Sequence, residues 1–213
     1  MARDLSSFVD GRLAGKTPLL KDPFAIFSLQ WFAQALNCRL VVTIRHPAAF
    51  ASGLKRLNWT FAFENLLEQP LLMSDHLEQY RGMLTGARAG DVIGQAAVLW
   101  TVIYATLQNL RSSVPGLHVV RHEDLASEPV EGFRDLYRGL GLRYSAHIEK
   151  AILRSSSPDN PVELSRRRVH SVKMDSRASI HNWKQRLSPE EVDRVRKLTD
   201  GVSQLYYPED SWS

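Results

Sequence analysis

The sequence predicts a three-layer α/β protein in which a mostly parallel sheet is flanked by helices. Residues 40–44 form a short apolar run that is rich in β-branched side chains and bounded by charged residues, as is typical of a strand buried in a parallel sheet. Residues 117–120, which follow Pro115-Gly116, predict another strand. Residues 17–22 predict a further strand. The helically spaced apolar side chains of residues 24–37 predict the crossover that parallel strands require. Strands that alternate with helices in this way favour the α/β class.

Proline placement and capping residues mark where the predicted helices begin. Pro47 follows the run at residues 40–44 and suits the first turn of a helix, because its fixed φ is helical and its missing N–H would be unpaired there. Ser188-Pro189-Glu190-Glu191 is a capping box with proline at the first helical position. We therefore expect helices from Pro47 and from Pro189, a long apolar helix over residues 91–113, short helices over residues 133–140 and 145–153, and a mobile loop at residues 82–90.

The composition is that of a globular protein with a small excess of positive charge. Hydrophobic side chains make up 44% and charged ones 23% of the 213 residues, which allows one sizeable core. The net charge of +4 fits a phosphate-bearing ligand but is too small to indicate nucleic acid binding. The single cysteine, Cys38, excludes an intrachain disulfide and a cysteine-based zinc site, and the scattered histidines indicate no metal site. The longest mostly apolar stretch, residues 96–107, is shorter than the ~20 residues of a membrane span, so we expect a cytoplasmic protein.

We expect one domain across residues 1–213, with four regions. Residues 1–16 form a polar helical lead-in, and residues 17–153 form the α/β core. Residues 154–187 form a basic loop region that contains three consecutive arginines at positions 166–168, and residues 188–213 form the last helix and a tail. Charge runs of this kind are usually solvated surfaces, so the charge alone does not indicate a ligand. The sequence leaves the oligomeric state open.

Charged side chains follow the predicted strands, at what would be one edge of the sheet. Lys21 lies at the end of one predicted strand, Arg45 and His122 each follow another, and Ser52 lies about two turns into the helix that follows Arg45. Ligands bind at the carboxyl ends of strands in open α/β sheets, so a guanidinium with a hydroxyl nearby indicates an anion site there. The alternative is a solvated charge at the end of a strand, or a histidine without a role in binding.

Two further stretches have competing interpretations. Residues 11–17 are one residue short of a phosphate-binding loop, but such a loop follows a strand and opens a helix, whereas residues 18–20 look extended. Residues 59–81 are rich in aromatic and leucine side chains and are broken by Pro70. They predict packing helices, with a lid or a wall of an acceptor site as the alternative.

Four motifs resemble those of the sulfotransferase family, and of its bacterial members in particular. Their order and spacing match the family from about Lys21 to the carboxyl end. The motifs are Leu20-Lys21-Asp22-Pro23, Val41-Val42-Thr43-Ile44-Arg45-His46-Pro47-Ala48-Ala49, Val119-Val120-Arg121-His122-Glu123-Asp124-Leu125, and Arg177-Ala178-Ser179-Ile180-His181-Asn182-Trp183-Lys184.

The resemblance implies a reaction and a fold. Sulfotransferases move a sulfuryl group from 3′-phosphoadenosine 5′-phosphosulfate (PAPS) to a hydroxyl or amine, on a P-loop sheet related to nucleotide kinases. The acceptor would be a small molecule, a lipid or a carbohydrate. No metal is needed, because positioning and fixed positive charge promote an in-line transfer.

The resemblance also implies roles for particular residues. In the family, the counterparts of Arg45 and Ser52 bind the 3′-phosphate, and the loop that matches residues 177–179 closes over it. The lysine that matches Lys21 lies near the sulfuryl group, where a cation offsets charge on the leaving phosphate. The expected set is therefore Lys21 as the catalytic residue, with Arg45, Ser52, His122, Arg177, Ala178 and Ser179 at the donor.

Three features depart from the family pattern. Gly53 holds the position where the family serine usually falls, with Ser52 one residue earlier. Pro23 stands where cytosolic animal members have their catalytic histidine. The first strand and the 5′-phosphosulfate loop should precede Lys21 by several dozen residues, and only twenty residues stand there.

These departures predict a truncated or divergent sulfotransferase-like domain. It would keep the 3′-phosphate half of the donor site, and transfer would require the sulfate half to come from elsewhere. The alternatives are a non-catalytic binding or structural protein of the same fold, and a nucleotide phosphate kinase built on residues 11–17.

Overall fold

Helices surround a small parallel sheet, so the protein belongs to the α/β class. The computed structural model describes residues 11, 13, 17–163 and 173–213. The expected lead-in and the stretch at residues 11–17 lie largely outside these residues, and the arginines at 166–168 lie wholly outside them. None of the helices in the described residues is long and apolar enough to cross a membrane. The elements are α1 (Leu29–Leu36), β1 (Val41–Ile44), α2 (Pro47–Leu57), α3 (Glu64–Leu67), α4 (Pro70–Leu72), α5 (Arg81–Gly86), α6 (Val92–Leu110), β2 (His118–Arg121), α7 (His122–Ser127), α8 (Pro129–Gly139), α9 (Ala146–Ser156), α10 (Ser176–Ser179), α11 (Trp183–Arg186) and α12 (Pro189–Ser203), with 3-10 turns at Ala25–Ser28, Glu78–Tyr80 and Glu209–Trp212 and a π turn at Met73–Leu77.

The sheet has two strands in the described residues, fewer than the sequence predicts. β1 and β2 pair in parallel, with Ile44 opposite Arg121, which confirms the strands expected at residues 40–44 and 117–120 to within one residue at each end. The predicted strand at residues 17–22 is wrong, because these residues are exposed and have no regular structure. A strand forms only beside a neighbour that takes its backbone hydrogen bonds, and the apolar pattern does not supply that neighbour.

The predicted helix starts are confirmed where proline and capping residues mark them. Pro47 is the first residue of α2. The Ser188 hydroxyl accepts from the backbone N–H of Glu191 at 3.3 Å, and the Glu191 carboxylate accepts from the backbone N–H of Ser188 at 2.8 Å. This reciprocal pair satisfies two N–H groups that the helix itself leaves free, so α12 begins where the sequence indicates.

Helix α6 is the central element of the core. Sixteen of its nineteen residues are buried, which explains why the sequence is apolar on every side of the helix. It packs against α2 and α12, and the alanines at positions 48, 49 and 51 of α2 bring those backbones close. The indole Nε1 of fully buried Trp100 donates to the carbonyl oxygen of Arg45 at 2.8 Å. The core therefore fixes the backbone at the carboxyl end of β1.

The segment between α2 and α6 is helical and packs on the core. This agrees with the packing interpretation of residues 59–81, and Pro70 begins α4. The loop predicted at residues 82–90 is partly wrong, because α5 continues to Gly86. Leu84 is 1% exposed, and burying this side chain offsets the low helix propensity of the glycines on either side.

Candidate functional site

Two polar side chains meet where the paired strands end. The register places Ile44 opposite Arg121, so Arg45 and His122 follow side by side at the carboxyl edge of the sheet. His122 is also the first residue of α7, and Arg45 precedes α2 by two residues. The parallel pairing therefore brings together residues that are far apart in the sequence.

Arg45 is a half-buried cation at this edge of the sheet. Its Nε is shielded from solvent and makes no hydrogen bond among the described residues. Burial lowers the pKa of Arg45; Glu123 opposes this effect, and repulsion from Arg186 adds to it. Leaving a buried charged donor unpaired is costly, so an anion that accepts a hydrogen bond from this Nε would stabilise the arrangement.

Arg186 approaches the same region from the end of α11. Its Nη1 donates to the Oγ of fully buried Ser52 at 3.3 Å, and its Nη2 lies 3.0 Å from a carboxylate oxygen of Glu163. Its Nε is buried and, like that of Arg45, has no acceptor in the described part of the chain. Two guanidinium groups thus lie close enough to repel each other, and each has a donor without an acceptor.

His122 contributes a third orphaned polar atom. Its Nδ1 is buried and unpartnered within the described ranges. Burial and the charge of Arg45 both lower the pKa of His122, against an opposing effect of Glu123. The ring is therefore neutral near pH 7, and a neutral imidazole can offer one N–H to an anion.

Glu123 holds the site in place. One carboxylate oxygen accepts from the backbone N–H of His46 at 2.9 Å, and the other accepts from the hydroxyl of Tyr207 at 2.8 Å. These contacts join the β1–α2 turn to the start of α7 and to the segment after α12. Burial, together with the negative charge of Glu123, raises the pKa of Tyr207, so that hydroxyl remains a donor.

His46 forms a buried aromatic cluster behind the site. Its ring lies 5.3 Å from that of Trp183, 4.9 Å from that of Tyr207 and 4.4 Å from that of Trp212. Its Nδ1 accepts from the backbone N–H of Ala48 at 3.3 Å and so caps α2, which leaves the proton on Nε2. Burial, then the nearby charges of the carboxyl-terminal segment, lower the pKa of His46 to about 3. The ring is a neutral structural group.

The structure brings together three of the seven residues that the sequence analysis places at the site. These are Arg45, Ser52 and His122. Lys21 lies on the exposed segment at residues 17–22, outside the hydrogen-bonded cluster.

The three predicted site residues of α10 are engaged in local contacts. The exposed side chain of Arg177 donates to the carbonyl oxygen of Ser127 at 2.5 Å and to the carboxylate of Glu128 at 2.7 Å. The backbone N–H of Ala178 donates to the Asp175 cap at 3.0 Å, and the Ser179 hydroxyl donates to the backbone within α10. In this conformation, Arg177 joins α10 to α7 and the start of α8, and the contacts of Ala178 and Ser179 stay within α10 and its cap.

Sequence reasoning assigns no role to Arg186 or Glu123, although both are central to the geometry. Arg186 lies 134 residues from Ser52, and Glu123 lies 77 residues from His46. The sequence position of Glu123 could have predicted a role at the site, because Glu123 follows His122 directly at the end of a strand. Arg186 had no such signal beyond its place in a basic region.

No family model, no curated protein and no solved structure matches the chain. In the described residues, no group of three or more histidine, cysteine, aspartate or glutamate side chains is arranged to hold a metal ion. The chemistry of the site follows from its donors alone. Two guanidinium groups, a buried hydroxyl and a neutral imidazole converge, and this set favours a phosphate or sulfate oxygen over a neutral ligand.

Proposed function

We propose that the chain is a sulfotransferase-type protein that binds the 3′-phosphate of PAPS at the cluster of Arg45, Ser52, His122 and Arg186. The observation that carries the proposal is a pair of buried guanidinium Nε donors that have no acceptor among the described residues, one on Arg45 at the carboxyl edge of a parallel sheet and one on Arg186 at the end of α11. A dianionic phosphate can accept from both, and its charge removes the repulsion between them. The four sequence motifs support PAPS as the source of that phosphate.

The proposed reaction is transfer of the sulfuryl group to a hydroxyl or amine. It assigns the 3′-phosphate to the Arg45 cluster and assigns Lys21 to the sulfuryl group. Lys21 is exposed, so the segment at residues 17–22 has to approach the donor before it can act. Binding and transfer are therefore separate steps, and the first does not guarantee the second.

Calorimetric titration tests the binding step. Adenosine 3′,5′-bisphosphate should bind without magnesium, and at least tenfold more tightly than adenosine 5′-phosphate, which lacks the 3′-phosphate. Arg45→Met keeps the aliphatic stem and removes the charge. It should lower the affinity for the bisphosphate at least tenfold, which is about 1.4 kcal/mol of binding free energy. Arg138→Met is the matched control, because Arg138 is 73% exposed and pairs with a neighbour on its own helix.

The alternatives give different results in the same experiment. Equal affinity for the two nucleotides would show that the 3′-phosphate does not bind at the Arg45 cluster. Binding of ATP only with magnesium would favour the kinase alternative, because phosphoryl transfer relies on the metal. Bisphosphate binding without sulfuryl transfer from PAPS to any acceptor in a phenol, alcohol and amine panel would favour the non-catalytic binding protein.

A further inference from the structure

A concave site lies on the molecule away from the Arg45 cluster. A cavity of about 480 Å³ opens between the turn Ala25–Ser28 and the helical segment that follows α2. This volume falls within the roughly 300–1,000 Å³ that is typical of small-molecule sites. Its apolar wall consists of Phe24, Phe27, Phe61, Leu66, Leu71 and Leu72. None of these residues belongs to the Arg45 cluster, so the inference that follows does not rest on the proposed function.

The aromatic wall is held in a fixed arrangement. The rings of Phe24 and Phe61 stack at 5.5 Å, and the ring of Phe27 lies 6.4 Å from that of His76. The backbone N–H of Phe61 donates to the side chain of Gln95 on α6 at 3.0 Å, which ties this wall to the core. Because the wall is already ordered, binding costs little conformational entropy. An apolar ligand therefore keeps more of the free energy that it gains by burying its surface.

Part of this apolar surface faces solvent. Phe24 is 38% exposed and Leu71 is 77% exposed, although both line the cavity. A ligand that covers them removes apolar area from water, at about 25 cal/mol for each Å². A concave aromatic surface that stays wet is typical of a binding site rather than of core packing.

Two polar side chains lie together in the cavity lining. Asp75 and His76 belong to the π turn Met73–Leu77, whose end residues, Met73 and Leu77, are anchored in the core. π turns interrupt regular helix hydrogen bonding and occur frequently at functional sites. Among the residues that the structure describes, the lining includes Asp75 but neither lysine nor arginine, so the charge favours a neutral or cationic ligand over an anion.

We propose that this cavity binds an apolar small molecule, aromatic or aliphatic, with one hydroxyl or amine group directed at Asp75 and His76. The carboxylate accepts a hydrogen bond from that group, and the imidazole can donate or accept one. The ligand body lies against the phenylalanine and leucine wall.

Titration with N-phenyl-1-naphthylamine tests the site. This probe is a neutral aromatic amine whose fluorescence rises in apolar surroundings. The wild-type chain should bind it saturably at one site. Ser28→Trp places a large ring in the cavity at an exposed position without a capping hydrogen bond, and it should lower the affinity at least tenfold. Gln30→Trp is the matched control, because Gln30 is also exposed on the same stretch but does not line the cavity, and it should stay within twofold.

The outcomes distinguish a specific binding site from nonspecific adsorption of the probe to apolar surface. Absence of saturable binding to the wild-type chain, or equal affinities for the two tryptophan variants, would overturn the proposal. Circular dichroism checks folding, and Asn65→Phe, at another exposed lining position, replaces Ser28→Trp if that variant does not fold. The expected loss for Asn65→Phe is again at least tenfold.

Displacement of the bound probe tests the ligand class. Octylamine and octanol should displace N-phenyl-1-naphthylamine, and octanoate should be at least tenfold weaker because of the Asp75 carboxylate. Octanoate that competes as well as the amine would overturn the assigned class. Arg45→Met should leave probe binding unchanged, which distinguishes failure at this cavity from failure at the phosphate site.

Discussion

Replacement of Arg186 by methionine separates binding from stability at the phosphate site. Methionine keeps much of the aliphatic stem and removes the charge. The change removes an ion pair with a half-exposed Glu163, worth ~0–1 kcal/mol, and a long hydrogen bond to Ser52, worth ~1 kcal/mol. It also removes a buried donor that has no partner in the described part of the chain, together with the repulsion on Arg45. The lost stabilising contacts and the lost destabilising effects nearly cancel. We therefore expect the free energy of unfolding without ligand to change by about 1 kcal/mol or less.

The affinity for adenosine 3′,5′-bisphosphate should change far more. A hydrogen bond to a charged group contributes ~1.5–3 kcal/mol, so losing the Arg186 contact should raise Kd roughly 10- to 150-fold. Urea denaturation measures the stability, calorimetry measures Kd, and Arg138→Met is the control for both. A variant that loses several kcal/mol of stability and binds the bisphosphate normally would refute the reasoning, because Arg186 would then be a structural residue.

Three further predictions concern the surroundings of the site and the fold. The pKa of His46 is lowered to about 3 from an ordinary ~6.5. Between these two pH values the unfolded chain binds a proton at His46 that the folded chain does not, so the free energy of unfolding falls as the pH drops from about 6.5 towards 3. His46→Asn keeps a capping side chain, and it should reduce this slope by up to ~1.4 kcal/mol per pH unit in urea denaturation; identical slopes would contradict the assignment. Ser188→Ala should cost about 1 kcal/mol of unfolding free energy by the same measurement, because the α12 capping box is lost, and an unchanged midpoint would show that the cap contributes nothing. Arg177→Met should leave the bisphosphate affinity within twofold, because Arg177 is occupied by Ser127 and Glu128; a tenfold loss in calorimetry would show that α10 moves onto the ligand.

The elements that sequence predicts well are those that local chemistry specifies. β1, β2, α6 and α12 each carry their own signal, which is a β-branched run, an apolar stretch or a capping box. The segment at residues 17–22 has only a pair of leucines as an apolar pattern, and this pattern cannot supply the neighbouring strand that it needs. Pairing is a property of the whole chain, and here the local signal is misleading.

The same distinction applies to the candidate site. Arg45, Ser52 and His122 are predictable because they follow strands or lie on the next helix, and parallel strands end at one edge. Arg186 reaches Ser52 from the carboxyl-terminal segment, and Glu123 joins the turn at His46 to Tyr207. These contacts depend on how α11 and the tail pack on α2, which a motif does not encode.

The most direct measurement is a crystal structure of the chain with adenosine 3′,5′-bisphosphate bound in the absence of metal. We expect oxygens of the 3′-phosphate within hydrogen-bonding distance of Nε of Arg45 and Nε of Arg186, with Ser52 and His122 beside them. A bisphosphate bound elsewhere, or one whose 5′-phosphate or adenine occupies the Arg45 cluster, would contradict the account.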